Sequence, residues 1–151
     1  MSTLRVDKIE GMDTASKLQM PSGHIIQTVR MTPTTGNTNT TSTSYVDTNL
    51  TETITPKFSN SLIRIDAHAS WLISGGSFFY TRLHRNGSNI SLDHQIHGDY
   101  GSNGTAWSGT VTYTDFPNST SAQTYMIKLK STGASAYVYR EQHMVLQEIA
   151  Q

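Results

Sequence analysis

Apolar and polar residues alternate along most of the chain after residue 20, which is the pattern of strands whose two faces meet different surroundings. Residues 61–71 show this alternation most strictly. One face of the segment carries Ile63, Ile65, Ala67, Ala69 and Trp71, and the other carries Arg64, Asp66, His68 and Ser70. The pattern predicts an antiparallel sheet with one face on a core and the other in water.

Similar but shorter patterns predict a series of further strands. They cover residues 24–30, 45–54, 78–85, 89–92, 107–113, 125–130, 136–140 and 144–149. The dipeptide Asn86-Gly87 is a strong hairpin signal, because both residues tolerate positive φ. About eight to ten strands and no helix are therefore expected, which is typical of an all-β antiparallel sandwich or barrel.

Two segments lack this alternation and are predicted to be loops. Residues 32–44 consist almost entirely of Thr, Ser, Asn and Gly, with Pro33 as the one apolar residue. Residues 94–106 are polar and contain Gly98, Gly101 and Gly104. Loops that project from a rigid scaffold often carry recognition, so each segment is either a simple connection or a receptor contact.

The first twenty residues form a separate segment by this pattern. They hold one short strand-like phrase, with Leu4 and Val6 alternating with Arg5 and Asp7. The sequence Pro21-Ser22-Gly23 then interrupts the chain. We expect an anchoring segment over residues 1–20 and one β-sandwich head over residues 21–151.

Composition and charge exclude several classes of function. The 151 residues carry 11 basic and 11 acidic side chains, so no basic surface is expected to bind nucleic acid. There is no cysteine, which excludes disulfides, thiolate metal sites and thiol catalysis. No apolar run approaches the ~20 residues of a membrane helix, and no signal peptide is visible. We expect synthesis in a cytoplasm without membrane insertion.

Candidate chemistry is sparse. His94 and His97 have a spacing that a metal can use, but no cysteine or carboxylate cluster accompanies them, so no metal or other cofactor is expected. The carboxylate pairs available for glycan cleavage are Asp93 with Asp99 and Asp66 with Asp115. No Gly-x-Ser-x-Gly nucleophile motif is present, and a non-enzymatic protein is predicted.

One stretch combines aromatic and small polar groups. Tyr100, Asn103 and Trp107 lie within eight positions of one another in and beside the second predicted loop. Aromatic rings with adaptable hydrogen-bonding neighbours suit sugar or protein surfaces, so these residues are the predicted binding loop. The alternative is a solvated loop next to a core tryptophan.

Four phrases occur in this order along the chain. They are Thr3-Leu4-Arg5-Val6-Asp7-Lys8-Ile9, Phe58-Ser59-Asn60-Ser61, Leu83-His84-Arg85-Asn86-Gly87 and the terminal Leu146-Gln147-Glu148-Ile149-Ala150-Gln151. Together they resemble the tail-fibre and virion structural proteins of marine tailed bacteriophages, including those that infect cyanobacteria. The resemblance covers nearly the whole chain, although the segment before the head is much shorter than a fibre shaft.

The resemblance implies a jelly-roll-like head that trimerises at a fibre tip, in a virion assembled in the host bacterial cytoplasm. It also implies that Thr3, Leu4, Val6 and Ile9 anchor the chain to another virion protein of the tail or capsid. Aromatic residues that one sandwich face cannot all accommodate are candidates for the trimer interface: Phe78, Phe79, Tyr137 and Tyr139. Their alternative role is ordinary core or cross-strand packing.

The function expected from these observations is host attachment, with a host glycan or protein as the receptor. A capsid decoration protein is the first alternative, because the same anchoring segment would bind capsid subunits. A free-standing carbohydrate-binding module is the second.

Overall fold

Ten β-strands and no helix make up the part of the chain that the computed structural model describes, which is residues 21–33, 36–75, 78–96 and 105–151. The strands are β1 (Ile25–Arg30), β2 (Thr38–Thr40), β3 (Val46–Ile54), β4 (Leu62–Ile73), β5 (Phe79–Arg85), β6 (Ser88–Asn89), β7 (His94–Ile96), β8 (Thr105–Asp115), β9 (Gln123–Ser131) and β10 (Ala136–Ile149). In those same ranges, no helix long and apolar enough to cross a bilayer is found.

The strands form two five-stranded antiparallel sheets. Sheet I has the order β1-β10-β4-β8, and β2 also pairs with β10. Sheet II has the order β3-β9-β5-β6, and β7 also pairs with β5. From β3 to β5 and from β8 to β10, consecutive strands lie in alternate sheets, as in a double-sheet jelly roll. The predicted antiparallel β-sandwich is confirmed.

The core lies between the two sheets and is built from the predicted alternation. The inward residues of β4 from Ile63 to Trp71 are all essentially inaccessible to solvent. From sheet II, Tyr125, Ile127 and Leu129 are 0% exposed and face them. Burying an aliphatic side chain fully stabilises a fold by roughly 1.5–3 kcal/mol, so this regular stripe is what holds the two sheets together.

Both predicted loops contain strand structure. Within residues 32–44, Thr38–Thr40 pair with Ala136, Tyr137 and Val138 of β10. Within residues 94–106, β7 and the first two residues of β8 are paired. The prediction of plain loops was wrong at these positions, because the edge of a sheet supplies backbone partners to a segment that has no apolar pattern of its own.

The two predicted C-terminal strands are a single long strand, β10. Its register against β4 shifts between Tyr139 and His143, and Glu141 has a φ of 51°. This is a β-bulge, which adds residues to one strand and interrupts its alternation. The side chain of Gln142 is buried there, and its amide donates to the carbonyl of Gly36.

The hairpin at Asn86-Gly87 is confirmed. The two residues have φ values of 48° and 83°, which is the left-handed conformation that a two-residue hairpin requires. The return strand is shorter than predicted, since β6 ends at Asn89 and Leu92 is 90% exposed.

The sandwich has two distinct ends, roughly 36 Å apart along β4 at the usual rise per residue. At the proximal end the chain enters beside its C-terminus, with the Gly23 amide donating to the Ala150 carbonyl at 2.8 Å. The distal end holds β2, Ala136 and Thr105, which is opposite Ile73. Ile96 is also distal, because it pairs with Phe79 at the start of β5.

Candidate functional site

The distal end is built from polar segments that order themselves through side-chain hydrogen bonds. The amide of Ser42 donates to the Thr40 hydroxyl at 2.9 Å, and the amide of Ser44 donates to the Ser42 hydroxyl at 3.0 Å. The Ser42 carbonyl in turn accepts from the amide of Ser131 at 2.8 Å. Short hydroxyl side chains can satisfy nearby backbone groups in this way, so a Thr/Ser segment holds a defined shape without a core residue.

A polar cavity of about 380 Å³ lies at this end. It is lined by Asn39, Thr40, Thr41, Ser42 and Ser135. Every lining side chain is a hydroxyl or an amide, so the cavity offers donors and acceptors without charge. Such a lining suits a neutral ligand that is rich in hydroxyl groups.

A second feature near the distal end is a charged and aromatic cluster on the outer face of sheet II. Asp93 accepts from the Arg82 guanidinium and from Lys130 Nζ, the latter at 2.9 Å. The Arg82 Cζ lies 4.5 Å and the Lys130 Nζ 4.8 Å from the centroid of the Tyr45 ring. Lys130 Nζ also lies 4.9 Å from the centroid of Tyr80. Two cations, one carboxylate and two phenol rings therefore share one partly exposed surface.

Direct contacts within this cluster shift the pKa values of several of its groups. The hydrogen bond from Arg82, assisted by Lys130, lowers the pKa of Asp93 to about 2. Burial, together with the nearby Asp93 carboxylate, raises the pKa of the Tyr45 hydroxyl above its ordinary value. The hydrogen bond to Asp93 raises the pKa of Arg82. Asp93, Tyr45 and Arg82 consequently each keep one charge state over the physiological pH range.

This cluster was not predicted from the sequence. Arg82 and Lys130 lie on neighbouring strands, β5 and β9, and Tyr45 precedes β3. The available signal was the placement of cations on the outward face of two predicted strands. The pairing of β5 with β9, which sets Tyr80 opposite Lys130, is not readable from either strand alone.

Only one of the three predicted binding-loop residues lies in the described ranges. Tyr100 and Asn103 lie outside the described residues. Trp107 belongs to β8, where its backbone is paired opposite Trp71 near the distal end. The structure therefore places this one of the three residues in a strand.

The predicted trimer-interface residues separate into two groups. Phe79 is 0% exposed within the single chain, and its ring stacks 5.9 Å from that of Trp71. Its assignment to a subunit interface is corrected, because a side chain already enclosed by the core offers no surface to a partner. Phe78 is partly buried beside Thr132, whose hydroxyl accepts from the Phe78 amide at 3.0 Å. Tyr137 and Tyr139 are partly exposed on the outer face of sheet I.

The predicted anchoring residues Thr3, Leu4, Val6 and Ile9 lie outside the described residues. The proximal end that follows them is organised by Glu148, which is fully buried. Its carboxylate accepts from the amides of Lys57 and Phe58 at 2.8 and 3.0 Å and from the Ser61 hydroxyl at 2.7 Å. Gln27 of β1 donates to it as well, at 2.6 Å. Phe58 and Glu148 belong to two of the four sequence phrases that carry the resemblance, and these two phrases are therefore in direct contact.

Of the histidine and carboxylate pairs predicted from the sequence, His97 and Asp99 lie outside the described residues. His68 and His143 are cross-strand neighbours on the outer face of sheet I, with ring centroids 4.9 Å apart. Asp66 accepts from Thr112 on that same outer face, whereas Asp115 accepts from Tyr125 between the sheets. Within the ranges that the structure covers, no group of three or more His, Asp or Glu side chains is arranged to hold a metal ion.

No protein family matches the chain, and no curated protein sequence matches it. Among solved structures, the chain is similar to Eiger TNF from S. frugiperda, with a TM-score of 0.50 and 9% identity. That similarity covers 85% of this chain and 95% of the other. A weaker match is dimeric latent PorU from Porphyromonas gingivalis, with a TM-score of 0.39, 12% identity and only 14% of that protein covered. The first likeness supports a jelly-roll fold.

Proposed function

We propose that the protein is a non-enzymatic virion structural protein of a tailed bacteriophage, a tail-fibre or fibre-tip subunit that acts in host attachment. One observation carries this proposal. The chain enters the sandwich at the proximal end, beside Ala150, and the polar cavity around Ser42 lies at the opposite end. A module that is tethered at one end and presents hydrogen-bonding groups at the other suits attachment.

The proposed mechanism is mechanical and recognitional. Residues 1–20 bind a neighbouring virion protein, and the distal end faces a glycan or protein of the host surface. Each contact at a small polar cavity is weak, but several tethered copies raise the effective concentration and hence the avidity. The charged and aromatic cluster around Asp93 extends this surface along sheet II.

Three-fold association is part of the proposal. Tyr137 and Tyr139 are partly exposed on the outer face of sheet I, close to the distal end. Tyrosine is enriched in the cores of protein interfaces, because it buries a large apolar ring while retaining a polar group. A trimer that packs through these residues would bring three distal ends together.

Immunogold labelling of virions tests the location. Gold at the tail supports the fibre proposal, whereas gold over the whole head identifies a capsid decoration protein and overturns it. A chain that lacks residues 1–20 provides the second measurement. We expect the truncated head to fold and to be absent from virions, and its incorporation at the normal level would contradict the anchoring role.

The cavity lining also favours a second candidate function, a free-standing carbohydrate-binding module. The five lining residues carry hydroxyl or amide groups that suit sugar hydroxyls, although those of Thr40 and Ser42 already bond to nearby backbone groups. A glycan array with the full chain and with the truncated head separates the two. Binding that survives truncation, combined with no gold on virions, would establish the module in place of the virion protein.

A further inference from the structure

The free edges of the two sheets are not equally protected against pairing with another chain. On sheet I, the β1 edge carries a register shift between Ile25 and Gln27. On sheet II, the β3 edge carries a register shift and the exposed Asp47, and the opposite edge consists of the two- and three-residue strands β6 and β7. Bulges, charges and short strands are the usual means by which proteins prevent edge-to-edge association.

The β8 edge is neither bulged nor short. Its eleven residues from Thr105 to Asp115 pair with β4 in one uninterrupted register. Asp115, the last of them, carries the only charge. Within the described ranges, no strand pairs with the other side of β8, and that row of backbone N–H and C=O groups is available.

We propose that this edge is a pairing site for β8 of a second copy of the chain. The two strands run antiparallel around a two-fold axis at Thr110 and join two copies of sheet I into one continuous sheet. A two-fold interface must be complementary to itself. The sequence of β8 meets this requirement.

The register centred on Thr110 is the one that pairs all eleven residues. It sets Ser108 opposite Thr112 of the other copy. Hydroxyl pairs are favourable cross-strand combinations. Asp115 falls opposite Thr105, so no two like charges face each other. A shift of the axis to Val111 would instead set Asp115 opposite Trp107 and shorten the pairing.

This pairing is independent of the three-fold association in the proposed function. It joins two single chains if the head is a monomer, and two trimers if the head is a trimer whose three-fold axis is crossed at right angles by the two-fold axes. The mass of the purified protein therefore reports both associations separately.

The test compares wild type with Thr110→Lys by light scattering on a sizing column at low micromolar concentration. Thr110 is exposed, so the change leaves the core intact, and the two-fold axis places the two introduced cations directly opposite each other. We expect wild type at twice the mass of the variant. Equal masses would overturn the inference, whereas a variant mass of one or three times 16.7 kDa decides only the three-fold association.

Three controls sharpen the comparison. Thr28→Lys introduces the same charge at an exposed position of β1, the other edge of sheet I, and should keep the doubled mass. Thr110→Val removes the 3.0 Å contact between Thr110 and His68 without adding charge, and should also keep the doubled mass. An equimolar mixture of Thr110→Lys and Thr110→Glu should restore the doubled mass, because opposite charges then lie opposite each other at the two-fold axis.

Cross-linking provides a test that does not depend on disrupting the strand. The chain has no cysteine, so Thr110→Cys introduces a single thiol at the axis. Residues directly opposite in an antiparallel pair have Cα atoms about 4.5–5.5 Å apart, within the range of a disulfide. Mild oxidation should link two chains of Thr110→Cys and leave Thr28→Cys unlinked. A failure of Thr110→Cys to link faster than Thr28→Cys would contradict the pairing.

Discussion

The carboxylate of Glu148 accepts a 2.7 Å hydrogen bond from the hydroxyl of Ser61, a residue 87 positions earlier in the chain. This contact connects the last strand of sheet I to the turn that precedes β4. Within the part of the chain that the structure describes, the Glu148 carboxylate is satisfied by neutral donors from two segments, β1 and the turn at residues 57–61. A buried carboxylate is stable only when its oxygens are so occupied.

Glu148→Ala should therefore destabilise the proximal end. It leaves the amides of Lys57 and Phe58 and the Ser61 hydroxyl without their acceptor, and the expected loss is about 3 kcal/mol in the free energy of unfolding. Chemical denaturation followed by circular dichroism measures it. Gln147→Ala, at the neighbouring and partly exposed position, is the matched control and should change stability by less than about 0.5 kcal/mol. A similar effect of the two substitutions would contradict this structural role of Glu148.

Phe79 and Tyr137 should respond in opposite ways to truncation. Phe79→Ala leaves a cavity against Trp71, so we expect a loss of about 3–5 kcal/mol in the free energy of unfolding. Tyr137→Ala should instead lower the mass of an assembled trimer while the single chain remains folded. Thermal unfolding and light scattering, applied to both variants, separate the two effects. A trimer that tolerates loss of the Tyr137 ring would remove this residue from the interface.

Gly87→Ala should cost roughly 1–2 kcal/mol, because an L-residue with a side chain is strained in the left-handed region. The φ of Gly87 is +83°, and an added Cβ would meet no atom within 4 Å. The cost would therefore be one of backbone conformation alone. Ser88→Ala, at the next exposed position, is the control. Equal midpoints for the two variants in urea would show that the turn does not need glycine.

The Asp93 cluster predicts a response to acid. The pKa of Asp93 in the folded chain is about 2, below its ordinary value of 3.8, so the ion pairs stabilise the protein above that ordinary value. This contribution is lost as the pH falls from 3.8 toward 2, and it is small and sensitive to salt because the groups are partly exposed. Carboxyl ¹³C titration should show the pKa of Asp93 rising in Arg82→Gln. Lys128→Gln, which removes the separate pair with Asp47, should leave it unchanged.

Some features followed directly from local pattern. The inward residues of β4 and β9 were predicted from alternation alone, because a strand directs successive side chains to opposite faces wherever it lies. Asn86-Gly87 was predicted for a similarly local reason, since its conformation depends on two residues. The unprotected length of β8 is also visible in the sequence once its role as an edge strand is known.

Other features could not be predicted, because they depend on which strands become neighbours. The bulge near Glu141 merges two predicted strands into one, and β2 forms only where β10 offers it a free edge. Phe79 could be either core or interface until the fold placed it against Trp71.

The sequence by itself determined the class of fold, the faces of the strands and the position of the hairpin, because each depends on residues that are close along the chain. The tertiary structure decided the location of the cavity, the assembly of the Asp93 cluster and the burial of Glu148. Each of these joins segments distant in sequence, such as Asp93 with Lys130 or Glu148 with Ser61. The order of strands in a sheet sets such contacts, and alternation within a single strand carries no information about that order.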